Sequence, residues 1–143
     1  MTSAVRLLQM LLVLIAVFHL VAGLGLMFSI EFQQHAVALY GAHVWWDEKD
    51  IYFIRIVGSF AFVLGYLAAV ASRDPLKYQI VIIGFIEFFL LRNVNRHLYS
   101  GELYAGFGVS PLVNNFTTMF FGVQVILLGG LLWKARREVS DRI

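Results

Sequence analysis

Residues Ile80–Tyr99, IVIIGFIEFFLLRNVNRHLY, begin as hydrocarbon and end as charge. From Ile80 to Leu91 only Glu87 and the small Gly84 interrupt an apolar run, and Arg92, Asn93, Asn95, Arg96 and His97 follow. A charge at bilayer depth costs about 3 kcal/mol or more unless it finds a partner or water. The segment is therefore expected to be a helix that faces other helices. Its polar groups are the best pointer to a site.

Composition sets the class. Of 143 residues, 60% are hydrophobic and only 14% charged. Soluble chains carry about 25% charged residues, so this balance points to an integral membrane protein. The formal net charge of +2 is small and dispersed, which argues against nucleic-acid binding. The absence of cysteine excludes disulfides, thiolate metal sites, thiol catalysis and dithiol redox chemistry.

Working outward, three further apolar runs are long enough to span, which takes about 20 residues. The first covers 6–28 and holds His19. It is read as a retained span, because a signal-peptide core runs to only about 7–15 residues. The second covers 51–72. Gly58, Ala61, Gly65, Ala68 and Ala69 form a small-residue stripe along it, the pattern that lets membrane helices approach closely. Arg55 lies three residues before Gly58 and is expected to be carried inward with the stripe. The third, 76–99, is the opening stretch with its lead-in. The fourth, 116–135, has Gln124 as its one strongly polar interior residue.

The connections are read from their turn residues and aromatics. Ser29–Asp50 carries Glu31, Asp47, Glu48 and Asp50 against Lys49 alone. Residues 32–40 read as a short interfacial helix, and Tyr40, Trp45 and Trp46 as headgroup anchors. His35 and His43, eight residues apart, match no usual metal-ligand spacing. Arg73-Asp74-Pro75 reads as a tight hairpin turn, which makes the second and third spans antiparallel neighbours. Ser100–Asn115 reads as a loop, from Gly101, Gly106, Gly108 and Pro111. Basic residues gather at Arg6, at Arg73 and Lys77, and at Lys134, Arg136, Arg137 and Arg142. By the positive-inside rule both termini are cytoplasmic. The expected fold is all-α, a single-domain four-helix transmembrane bundle.

At about 1.5 Å per residue, His19, Glu87, Gln124, Arg55, Arg92 and Arg96 all fall between the midplane and the outer surface. Glu87 is expected near the midplane, within reach of His19 and Gln124. Arg92, Asn95, Arg96 and Tyr99 share a separate face, about 140° from Glu87. Several roles fit such a cluster. It fixes helix register, or it binds a quinone head group or other small ligand. His19 is also a candidate axial ligand for haem or chlorophyll. Proton conduction fits poorly, because the inner half offers few titratable groups.

The run Arg55-Ile56-Val57-Gly58, then Gly65, the Arg73-Asp74-Pro75 turn, and Leu91-Arg92 with Arg96 resemble the BphX-like and DoxX-related small bacterial membrane proteins. The resemblance covers about residues 51–97. It implies a four-helix membrane bundle and carries no catalytic residues over. With no catalytic constellation, the leading expectation is an accessory or scaffold subunit packed against other integral membrane subunits of a respiratory or photosynthetic assembly. The alternative is a small oxidoreductase component or ligand-binding protein that uses the outer polar cluster.

Overall fold

Three of the helix starts in the computed structural model, which describes Ser3–Asp141, are closed by a side-chain cap. Arg142 of the expected basic tail lies outside the described residues. Helix α1 spans Ser3–Phe28, α2 Ile30–Leu39 and α3 Glu48–Arg73. Helix α4 spans Gln79–Leu98, α5 Ser100–Phe107 and α6 Pro111–Ser140. There is no strand among the described residues. Ser29 caps α2 by accepting from the Phe32 amide at 3.1 Å. Asp47 caps α3 through the Asp50 amide at 2.8 Å. Ser110 caps α6, with Pro111 in its first turn, where a missing N–H costs nothing.

Helices α1, α3 and α6 are long and apolar enough to cross a membrane. Their outward faces carry Leu14, Phe18, Phe53, Phe60, Phe116 and Ile126, all well exposed. A surface this apolar has its natural solvent in hydrocarbon rather than water. The buried core is narrow. It runs through Leu8, Leu12 and Ile15 of α1, Ala68 and Ala71 of α3, Ile82, Phe85 and Phe89 of α4, and Phe121, Leu128 and Leu132 of α6.

The closest packing joins α1 and α3. A Cβ placed on Gly65 would stand 2.7 Å from the Leu20 amide nitrogen and 3.0 Å from the Ala16 carbonyl oxygen. One placed on Gly23 would stand 2.5 Å from the Phe62 nitrogen. The small-residue stripe of the second span thus does face a neighbour, and that neighbour is α1. Arg55 does not follow it inward. Its side chain is exposed, because at 100° per residue it points about 80° away from the arc of Ile54, Gly58 and Gly65, which are buried.

The Arg73–Pro75 turn is present, with Asp74 Oδ1 accepting from the Lys77 amide at 3.1 Å. The helices it joins nevertheless touch only lightly, since α4 packs mainly on α6. The stripe has already committed α3 to α1, and Phe85 and Phe89 fill the space beside α6. The expected loop at 100–115 is largely helical. Gly101 and Gly106 have open space around them and sit within α5, whereas Gly108, at φ +70°, terminates it.

Gly65→Ala should destabilise the protein by about 1–3 kcal/mol, read as a lower melting temperature in detergent. Gly130→Ala, whose Cβ meets nothing within 4 Å, should leave the melting temperature unchanged or slightly raised.

Candidate functional site

Helix α4 sorts its polar residues by angle. Phe85, Phe89, Arg92, Asn93 and Arg96 fall within about 100° of one another at 100° per residue, and all five are buried or half-buried. The three apolar helices and α4 meet beneath a cap at one end of the molecule. The cap consists of α2, residues 41–47 and α5. The His43 amide donates to the Phe107 carbonyl at 2.7 Å, which fastens this connection to the end of α5. Gly41, at φ +65°, brings the chain against Val113.

Under the cap lies the polar cluster. The Arg92 guanidinium sits 3.7 Å above the centre of the Phe121 ring and donates to the Tyr40 hydroxyl. Such cation–π contacts are worth about 0.5–2 kcal/mol. Arg96 approaches the same Tyr40 ring, at 5.7 Å from its centre. Its Nε donates to Asn114 Oδ1 at 2.9 Å, and Asn114 Nδ2 donates back to the Arg96 carbonyl at 3.3 Å. Asn93 Nδ2 donates to the Thr118 carbonyl at 3.1 Å. The two arginines are therefore held by α2, α4 and α6 together.

The cluster is incomplete in its hydrogen bonding. Arg92 Nη1, Arg96 Nη2, Asn93 Oδ1 and Gln124 Oε1 are buried atoms without a partner. Among the described residues no carboxylate forms an ion pair with either arginine. Two guanidinium groups thus share a partly buried region with no countercharge, which is an expensive arrangement unless an oxygen-rich group completes it.

His19 borders this cluster from α1. It is 8% exposed, packs against Phe18 and Phe89, and its Nδ1 lies 2.9 Å from the Ile15 carbonyl. That bond fixes the ring on its own helix and leaves Nε2 as the free nitrogen. His97, the nearest histidine along α4, is exposed at that helix's end, so the fold does not present it opposite His19.

Four expected members lie elsewhere. Glu87 is exposed on the opposite face of α4, because residues 85 and 89 claim the inward direction and 87 points away from both. Asn95 is exposed for the same reason, and Tyr99 is half exposed. Arg55 is exposed on α3. Sequence reasoning passed over Tyr40, Asn114 and Phe121 as partners of the arginines, and Asn93 as a neighbour on their face. For Asn93 a signal existed: it lies four residues after Phe89 and three before Arg96. Tyr40 and Asn114 come from distant parts of the chain, and no local pattern announces them. Gln33 was also missed. It is 1% exposed and its Nε2 donates to the Leu26 carbonyl at 2.7 Å, tying α2 to the end of α1.

No protein-family model, curated protein or solved structure matches this chain.

Asn114→Ala should cost about 1–3 kcal/mol, since it strands both the Arg96 Nε and its carbonyl partner. Reversible unfolding in mixed detergent measures this. Asn115→Ala, at an exposed neighbouring position, should change stability little.

Proposed function

We propose that the chain is a four-helix transmembrane bundle in which α4 is the fourth span, with both termini cytoplasmic, and that it binds a membrane-soluble ligand through acceptor oxygens. The observation that carries this reading is the pair of unpartnered, buried guanidinium nitrogens on Arg92 and Arg96, with no carboxylate beside them. A bacterial inner membrane fits this reading, as does the resemblance to the BphX-like and DoxX-related proteins.

Depth supports the choice of ligand. Arg92 lies about 20 Å along α4 from Gln79, and Arg96 about 26 Å. In a hydrocarbon layer about 30 Å thick, both sit towards the outer boundary, where a lipid phosphate or a quinone head group resides. A guanidinium binds such oxygens through charge-assisted hydrogen bonds. Gln124 Oε1 and Asn93 Oδ1 would accept from a ligand hydroxyl. The phosphate and the quinone carbonyl share one recognition chemistry, an oxygen acceptor on an apolar stem. Nothing in the cluster supplies a nucleophile, so the role is binding rather than independent catalysis.

A second reading is favoured by a different observation. Glu87 stands exposed on the outward face of α4 with no hydrogen bond or ion pair among the described residues, which suits a subunit packed against another membrane protein. That exposure supports the accessory-subunit reading.

Two experiments test the primary reading. Single cysteines replacing Asp74 and Glu102 should react with a membrane-impermeant maleimide from opposite sides of sealed vesicles; labelling from one side removes the four-span topology. Purified protein should be stabilised against heat by decylubiquinone or by phosphatidylglycerol. Arg92→Gln should weaken whichever binds by about tenfold or more, and Arg55→Gln should not. Equal binding by both variants would count decisively against the site.

A further inference from the structure

The polar cluster holds acceptors as well as donors, and a ligand that only accepts leaves them unmet. Asn93 Oδ1 and Gln124 Oε1 are buried atoms without a partner. Asn93 cannot exchange its oxygen for its nitrogen, because Nδ2 donates to the Thr118 carbonyl at 3.1 Å. His19 adds a third acceptor. A carbonyl cannot donate, so His19 Nδ1 must donate to the Ile15 oxygen at 2.9 Å. The neutral ring then carries its lone pair on Nε2. A buried acceptor that has lost water and gained no donor is destabilising until something donates to it.

The donors and acceptors are layered. Arg96 meets Asn114, Asn93 meets Thr118, and the Phe89 ring meets the Phe121 ring at 5.2 Å between centres. These are successive contacts of α4 on α6, read away from the cap. Gln124 lies three residues past Phe121, about 4.5 Å deeper. His19 is level with Phe89, with 6.2 Å between the ring centres. Arg92 and Arg96 both reach Tyr40, at the cap. The outer layer of the cluster therefore donates and the inner layer accepts, and the Phe89 and Phe121 rings form a wall along both.

Membrane ligands differ in how they fit this order. An oxidised quinone or a phosphodiester brings acceptors alone. Phosphatidylglycerol does bring hydroxyls, but they lie outside its phosphate, on the side away from its acyl chains. It would set its donors against the guanidinium groups and leave Gln124 unmet. A hydroquinone carries a hydroxyl at each end of a flat ring, and each hydroxyl both donates and accepts. One hydroxyl can accept from Arg92 and Arg96 while the other donates to Gln124 or His19. The ring between them has Phe89 and Phe121 to lie against.

We propose that the site selects a membrane hydroquinone over its oxidised quinone, with Gln124, Asn93 and His19 as the groups that read the hydroxyl hydrogens. The proposal rests on the ligand-binding reading of this cluster and adds which redox form it takes. Oxidation removes both hydroxyl hydrogens, so every oxygen of the quinone only accepts, and the inner layer is again without donors.

Calorimetric titration of the purified protein in detergent, without oxygen, compares decylubiquinol, decylubiquinone and phosphatidylglycerol. The quinol should bind about tenfold or more tightly than the quinone. Gln124→Leu removes an unmet acceptor, so without ligand it should melt like the parent protein. It should also cut the preference for quinol to about threefold or less. Arg92→Gln should weaken both redox forms. Equal affinity for the two forms, still lost in Arg92→Gln, overturns the selection and leaves the ligand site standing. An unchanged preference in Gln124→Leu overturns the assignment of the acceptors. Phosphatidylglycerol binding more tightly than the quinol overturns the hydroquinone in favour of a lipid. Failure of all three to bind, or binding indifferent to Arg92→Gln, overturns the site and the selection together.

Discussion

The close approach of α1 and α3 is the constraint on which the other contacts depend. Gly23 and Gly65 let the two backbones meet where any side chain would collide with main-chain atoms. Membrane helices gain little from burying apolar surface against one another, because lipid is as apolar as leucine; packing and hydrogen bonds must supply the difference. A glycine-mediated contact supplies packing. Once α3 is committed to α1, it is no longer free to partner α4. Helix α4 turns instead to α6, and the aromatic residues Phe85, Phe89 and Phe121 take the remaining space. The inward direction of α4 is thereby set, and so is the position of both arginines.

That rotation explains why α4 carries two kinds of polarity. Arg92, Asn93 and Arg96 share the arc of the core residues and are gathered under the cap. Glu87 and Asn95 lie on the other arc and are exposed. Residues only five apart, Glu87 and Arg92, therefore serve different surfaces. The cap adds a second restriction. Tyr40 comes from the end of α2 and Asn114 from the first turns of α6, and together they hold the guanidinium groups against Phe121. A positively charged region without acid is tolerated here because aromatic faces and amide oxygens provide part of what a carboxylate would.

The helical class and the apolar segments were legible in the sequence because hydropathy over 20 residues is a strong, local signal. The boundaries were close too: α3 extends only a few residues beyond 51–72, and α4 begins three residues after Leu76. The short helix after Ser29 was read at 32–40 and spans Ile30–Leu39. The glycine stripe was read in the right direction. The inward rotation of α4 was not, because two opposed apolar faces look alike in one dimension. Glu87 was drawn inward on grounds of cost, yet Phe85 and Phe89, two residues to either side, hold the inward arc. The segment at 100–115 was misread for a different reason. Its glycines suggested turns, but only Gly108 adopts the left-handed conformation that ends a helix. The partners of Arg92 and Arg96 are separated from them by 52 and 18 residues, and such tertiary meetings leave no periodic trace.

Glu138 of α6 accepts a hydrogen bond at 3.4 Å from the amide of Ala4, in the opening turn of α1. An acid at a helix start is matched to the positive end of the helix dipole. The start of α1 is thus completed by α6. Until α6 has been made, α1 has its glycine contact with α3 but neither its terminal partner nor the aromatic wall that Phe121 provides. Without α6, the paired α1 and α3 would present an open flank.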